Sequence, residues 1–560
     1  MKYVKHIYIK LITILPLAFV GACSEDFLER PPKDSIVDAG FYQTDDQVLA
    51  STALLYSKVW FDYNDKASYN LGDFRAGTAF SAWNDRGNVL FNTTGNTPEN
   101  GSAWRSFFIV VGQSNLAIQN IQKYAGPSVS PAVKKHAIAE ARFMRALAYR
   151  FLVMNWGAVP VIENNLTLLS DTTVQRNTPK SVWKFITGEM RQIAEDLPEK
   201  PVRVGRLTRW SAEGMLARFY LTRSGVEAGA SGQRNQVFLD SAKYYADRVI
   251  TLSGASLLPN YANLFLYPYD NNAESLFSLQ WVYSPGAWGT QNSTPAYLAY
   301  GPDIANGDGW GGDKGATWWV MQQYEGIKTV SETVLQGRTV DQRLKATFML
   351  PGASYPEITQ TIPGGNQKLV FPFTGTDNNF IAIKKYITGK AADLGGHAAQ
   401  QNYGHDTYMM RLAEMYLTYT EAVLGNNATT NDVKALQYFN QVHTRAGLSP
   451  VTGPLTFDQI FKERIVEFAM EGMAWYDLVS LHYYNPTKAY AILNAQDRGF
   501  FFTKPDRFPD PTSWTFTKTA WATAERKIDA NSGNFLLPIP SAELSQAPNL
   551  QKPAVDYQHK

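Results

Sequence analysis

The chain has 560 residues with 52 basic and 50 acidic side chains, a balance of +2 that excludes the basic excess of a nucleic-acid binder. Hydrophobic residues make up 44%, enough for one large domain or two merged ones, and a single cysteine leaves no disulfide to staple the fold. Aromatic residues reach 13% against 18% charged, and rings with an apolar face and a polar edge suit a ligand that is flat on one side and polar at its rim.

Lys2, Lys5 and Lys10 precede the apolar run Leu11 to Val20, and Gly21-Ala22 lead into Cys23. This order predicts a secretory signal peptide over residues 1–22, with an apolar run too short to span a bilayer. The small-small-Cys ending resembles the bacterial lipobox, whose cysteine is acylated and becomes the first mature residue. Acyl chains at about 0.8 kcal/mol per buried methylene would hold the protein on a membrane. Residues 23–35, with Pro31-Pro32, predict an extended, lipidated tether.

Asp45 to Trp60 predicts a helix, with Val48, Leu55 and Val59 on one face. Residues 61–103 break the helical period and read as a long loop rich in Gly, Asn, Asp and aromatics, a composition that favours function over disorder. Helices are expected at 104–124 and 132–156, the second ending at Gly157 with Pro160 beyond. Thr178-Pro179 starts another that runs to Leu197, and further helices fall within 210–252, at 408–424, at 432–446 and at 457–481. Residues 45–124, 132–197, 210–252 and 408–446 then form four helix hairpins, similar to a tetratricopeptide array, with an irregular bundle as the alternative. Between them, Ser256 to Gly404 is punctuated by Gly, Pro, Asn and Asp and carries short strands at most, such as Ser275–Leu279 and Phe380–Ile383.

Catalytic signatures are scarce. No G-x-S-x-G, H-E-x-x-H or phosphate-loop pattern occurs, and Gly307 to Gly312 lacks the flanking strand and helix of a phosphate loop. No histidine pair has metal-ligand spacing, so neither metal nor cofactor is expected. A carboxylate pair serving a glycosidase would meet in space rather than in sequence.

Several blocks together resemble the SusD/RagB family of Bacteroidetes surface glycan-binding lipoproteins. They are Glu140 to Tyr149 with Gly157 to Pro160, Gly205 to Thr208 with Ala217 to Leu221, Arg411 to Leu417 with Glu421-Ala422, and Val442 with Arg445 to Leu448. The sharpest is Glu463 to Gly472 with Trp475 to Leu478, and Leu537 to Pro540 with Pro548 to Leu550 closes the set. In the sharpest block, Phe461, Ile465, Phe468, Gly472 and Trp475 share a helix face. Glu467 and Glu471 read as structural, paired with Arg464 or with backbone donors.

The resemblance implies a mostly α, TPR-like scaffold with a loop-rich insertion. Residues 36–255 would form the N-terminal helical region and 256–560 the C-terminal region of a single merged domain. It also implies a non-enzymatic lipoprotein, anchored through Cys23 on the outer face of the outer membrane. There it would bind a polysaccharide or oligosaccharide and deliver it to a SusC-like TonB-dependent transporter. Glu25-Asp26 is similar to the family's export signal to the cell surface. A surface glycoside hydrolase and a structural adaptor of a transporter complex are the alternatives.

Sugars present C–H patches on a ring face and hydroxyls at the edge, which an aromatic ring and Asn, Asp or Arg side chains match. Two stretches combine these groups, Asp73 to Asn88 and Tyr283 to Trp310. Trp83 and Trp288 are the expected stacking faces, Tyr283 and Trp310 the weaker ones. Asn84, Asp85 and Arg86 would supply polar contacts, oriented by Asp73.

Overall fold

The structure is a computed structural model and describes residues 38–82, 85–169, 173–371, 381–499, 513–517 and 527–558. The expected signal peptide, the whole tether with Cys23, Trp83 and Asn84 lie outside the described residues.

Local caps set the helix boundaries. Thr44 accepts from the Gln47 amide ahead of α1 (Asp45–Ser51), and Pro98 opens α2 (Pro98–Tyr124). Ser130 and Pro131 start α3 (Pro131–Trp156), Thr178 and Pro179 start α4 (Pro179–Asp196), and Thr208 caps α5 (Arg209–Ala228). α6 (Gln236–Leu252), α7 (Leu412–Leu424) and α8 (Val433–Arg445) follow, then α9 (Phe457–Phe468), α10 (Ala474–Tyr484) and α11 (Pro486–Asn494). From α2 to α8 each helix packs on its successor, α6 meeting α7 across the long insertion between them. The scaffold is therefore a row of neighbouring helices in which three of the four expected hairpins form, while α2 pairs α3 rather than closing a hairpin with α1.

The strands are short. In chain order they are β1 (Ala79–Ser81), β2 (Ser275–Leu279), β3 (Lys314–Ala316), β4 (Ile327–Ser331), β5 (Val334–Arg338) and β6 (Phe348–Met349). β7 (Ser354–Ile362), β8 (Gly365–Val370), β9 (Ala382–Ile383), β10 (Thr407–Arg411) and β11 (Ser513–Thr517) follow. β1, β3, β9 and β6 form one antiparallel sheet, β10 pairs β2, β11 joins β5 and β4, and β7 and β8 make a hairpin longer than expected.

Three expectations are corrected. Residues 61–103 are helical at both ends, because helical turns continue to Phe74 and α2 begins at Pro98. The continuation contains π turns at Tyr63–Ala67 and Asn70–Phe74. Its inward face is partly polar, with Asn64, Asn70 and Asp73 buried on tertiary partners, so no apolar stripe marks it. The helix expected over 408–424 divides into β10 and α7. The helix expected over 457–481 breaks between α9 and α10, where Met470 and Gly472 take φ of 63° and 71°. There Asp73 accepts the Met470 and Gly472 amides at 2.7 and 2.8 Å, so a side chain from the far end of the sequence terminates the helix. A Cβ on Gly72 would lie 2.3 Å from the Gly472 Cα, so the two backbones touch.

One hydrophobic core takes in residues from Leu55 to Leu537, with Trp60, Trp183 and Trp475 fully buried. Beside it lies a buried ionic cluster. Arg411 meets Glu274 and Glu467 at 2.7 Å and Glu471 at 2.7 Å, while Arg343 meets Asp341 at 2.8 Å and Glu463 at 2.6 Å. Arg445 also pairs Glu467. Burial alone would raise the Glu467 carboxyl, but Arg445, Arg411 and Arg343 hold it well below the ordinary carboxylate range. Glu467 and Glu471 are thus structural, though not through Arg464, which pairs Asp477 at 2.7 Å.

Candidate functional site

The pairing of β1 with β3 decides where the site forms. Ala79, Phe80 and Ser81 lie opposite Ala316, Gly315 and Lys314, so the chain leaving residue 81 runs beside the chain arriving from residue 310. Ser81 donates to Asp313 at 2.9 Å, and the Ala82 amide donates to the Asp313 carbonyl at 2.8 Å. The two sequence stretches singled out above are therefore neighbours. A third element joins them: Ser293 donates to Asp65, and Asn64 donates to Asn292 at 2.9 Å and to Thr294 at 3.1 Å.

Together these segments and the start of α2 enclose an open cleft of about 690 Å³. Tyr297 and Trp310 form its aromatic wall, their rings 5.0 Å apart and tilted by 52°. The glycine-rich string around Trp310 has a packing role. The Trp310 amide donates to Ala296 and the Gly311 amide to Ala299, and a Cβ on Gly311 would sit 2.1 Å from the Leu298 carbonyl oxygen. Only glycine permits that approach, which seats the loop while Trp310 stays 42% exposed.

The polar lining is mainly acidic, with Asp62, Asp65, Asp85, Glu99 and Asp313 against Lys66, Arg105 and Lys314. Burial pushes the Asp65 carboxyl up to about 6, with Ser293 and Lys66 partly opposing it. Burial also lifts Asp85 to about 6 despite Lys314 nearby. The Tyr297 hydroxyl rises to about 12, through burial first and the Asp65 charge second. Lys66 lies 5.0 Å over the Tyr297 ring and helps fix its face. A half-apolar, half-carboxylate cleft of this kind can stack a flat ligand and accept hydrogen bonds from its hydroxyls.

Trp288 lies just beyond this cleft. It is 59% exposed on a loop closed at its base by the Val282 amide on the Thr290 carbonyl, and its ring packs edge-on against Phe61 at 5.5 Å. Phe61 and Asp65 are one helical turn apart on the same segment, so the Trp288 face and the cleft flank one another. Asp85 lines the cleft, held by the Asn70 amide at 2.8 Å in a left-handed conformation that Asp tolerates. Trp83 and Asn84, its chain neighbours, are outside the described residues. Arg86 is exposed on the following turn and does not line the cleft. Tyr283 is half-buried against His397, at 6.4 Å, and likewise does not line it. Asp73 is fully buried beneath the site, where it binds backbone amides and Thr78 rather than orienting the 84–86 side chains. Sequence reasoning missed Asp65, Lys66 and Glu99 because they fall on helical segments with no motif. Tyr297 was visible only as one ring in an aromatic-rich stretch.

Comparison with known proteins identifies the family. Residues 273–557 match the model of the SusD family, and residues 26–221 match a family model described as starch-binding and associating with the outer membrane. A SusD-like protein of Bacteroides ovatus is 36% identical over 98% of both chains. A crystal structure with xylogluco-oligosaccharide is 33% identical, superposes with a TM-score of 0.79 and covers 92% of this chain and 99% of that one. A SusD-like carbohydrate-binding protein of Bacteroides fragilis, 20% identical with a TM-score of 0.67 over 91% of this chain and 100% of its own, shares the fold. With matches at both ends, a relative of equal length and the helix array in common, the chain belongs to the SusD family.

Proposed function

We propose that this protein is a cell-surface lipoprotein that binds a glycan without cleaving it and passes it to a SusC-like TonB-dependent transporter. The observation that carries the binding step is the Tyr297–Trp310 wall facing buried carboxylates, with Trp288 exposed alongside. Trp83, Asn84 and Asp85 belong to the same surface in this reading, Trp83 as a stacking face and the other two as polar contacts. The excess of carboxylates favours an uncharged glycan, since uronate or sulfate groups would meet like charge. The relative solved with xylogluco-oligosaccharide makes that the first ligand to test. Lipid anchoring at Cys23 and transfer to a transporter rest on family membership and on the sequence before residue 36.

Calorimetric titration with xylogluco-oligosaccharide, a panel of other neutral oligosaccharides and one polyuronate tests the reading. Saturable binding of a neutral glycan with no new reducing ends is the expected result. Two carboxyls near pH 6 in one cleft are also a hydrolase-like feature. Release of reducing ends by the purified protein would replace the binding reading with that one.

A further inference from the structure

Away from the cleft, a small cavity lies among α3, α5, α7, α9 and α10. Arg150 of α3 lines it and is 2% exposed, yet its Nε and Nη1 have no hydrogen-bond partner among the described residues. Nη1 of Arg464 on α9 and Oγ1 of Thr418 on α7 line the same cavity, buried and also without a partner. The faces of the Arg150 guanidinium are covered by Phe151 at 5.1 Å and Tyr476 at 4.8 Å, which leaves its N–H edge to be satisfied in plane.

Three arginines, Arg150, Arg218 and Arg464, and three carboxylates, Glu414, Glu421 and Asp477, line the cavity, and Arg234 behind Glu421 brings the local sum to +1. Arg218 is held by Glu414, Arg464 by Asp477, and Glu421 by Arg234, each pair within hydrogen-bond distance. Among the described residues, Arg150 has no carboxylate within ion-pair distance. Burial, with Arg218 adding to it, lowers its guanidinium to about 10, which still leaves it charged at neutral pH. A buried cation with unmet donors is strongly unfavourable unless a counter-charge shares its site. The cavity volume is about 20 Å³, above what one water needs and too small for a polyatomic anion.

We propose that this cavity is a binding site for a monatomic anion, chloride in ordinary surroundings, held by Arg150, Arg464 and Thr418. The anion neutralises Arg150 and ties together five helices from both halves of the chain. A water molecule would accept hydrogen bonds there but leave the charge unmatched.

Two measurements on the whole protein test this. Crystals soaked in sodium bromide should show an anomalous peak in the cavity, in contact with Arg150. In solution, replacing sodium gluconate by sodium chloride at equal ionic strength should raise the melting temperature saturably, by about 1–2 °C. Arg150→Met should abolish that difference. Should that variant not fold, Thr418→Val, which keeps every charge, should weaken it. A cavity with no bromide peak, or identical melting in the two salts, overturns the proposal.

Discussion

Trp310 and Trp288 are the residues on which the binding reading turns. Each presents an aromatic face on a backbone that does not depend on the ring itself: Gly311 seats one loop, and the Val282–Thr290 hydrogen bond closes the other. Trp288→Ala or Trp310→Ala should cost about 1–3 kcal/mol of glycan affinity, as loss of an anchoring aromatic does, with unchanged circular dichroism. The double variant Trp83→Ala, Trp288→Ala should bind below detection in calorimetry; wild-type affinity in the folded double variant would remove both from the site. Asp65 adds a pH dependence. Its carboxyl, raised to about 6, is ionised at pH 7–8 and accepts hydroxyl hydrogen bonds, and it is protonated below 6. Affinity should therefore fall as pH drops through 6, and Asp65→Asn should flatten the profile measured from pH 5 to 8. The exposed tryptophans were legible in the sequence because large rings among glycines and polar residues have few structural uses. Asp65 was not, since nothing local distinguishes it from a solvated helix carboxylate until Ser293 closes over it.

At the scale of elements, helix starts were readable to within a residue at Pro131 and Pro179, where a hydroxyl cap precedes a proline. The break between α9 and α10 was not, because its cause, Asp73, lies far away in sequence. The split of 408–424 was hidden for a related reason: β10 is a strand only because β2 pairs with it. The backbone contact of Gly72 with Gly472 gives a direct check. Gly72→Ala places a methyl 2.3 Å from the Gly472 Cα, so a stretch of backbone must shift. Overpacking of that kind costs about 1–3 kcal/mol or more, which urea unfolding would register as a lower midpoint. A midpoint equal to wild type would show that the two segments separate without loss.

For the whole molecule, the ionic cluster around Arg411 sets the acid limit. Glu467 is depressed in the folded state relative to its ordinary value of 4.5, so its contribution is present above pH 4.5 and lost as pH falls below it. Stability followed by thermal melting should drop below about pH 4.5. Glu467→Gln, which leaves Arg445 and Arg411 short of a counter-charge, should destabilise by about 3–5 kcal/mol at neutral pH. Location has its own test: Cys23→Ala should move the protein out of the membrane fraction, and retention with lipid label intact would refute anchoring at that residue. Among the described residues no helix is long and apolar enough to cross a membrane.

The clasp of Asp73 on the Met470 and Gly472 amides also carries a consequence for timing. Its partners lie 397 and 399 positions along the chain from it, so the segment that floors the cleft stays without its support until just over five-sixths of the chain has been made. A nascent or clipped product ending before residue 470 would carry the ligand-facing aromatics yet lack the contacts that set them. On the proposed binding reading, ligand capture would then act as a quality check on complete synthesis, since only a finished molecule would hold the cleft in shape for a sugar.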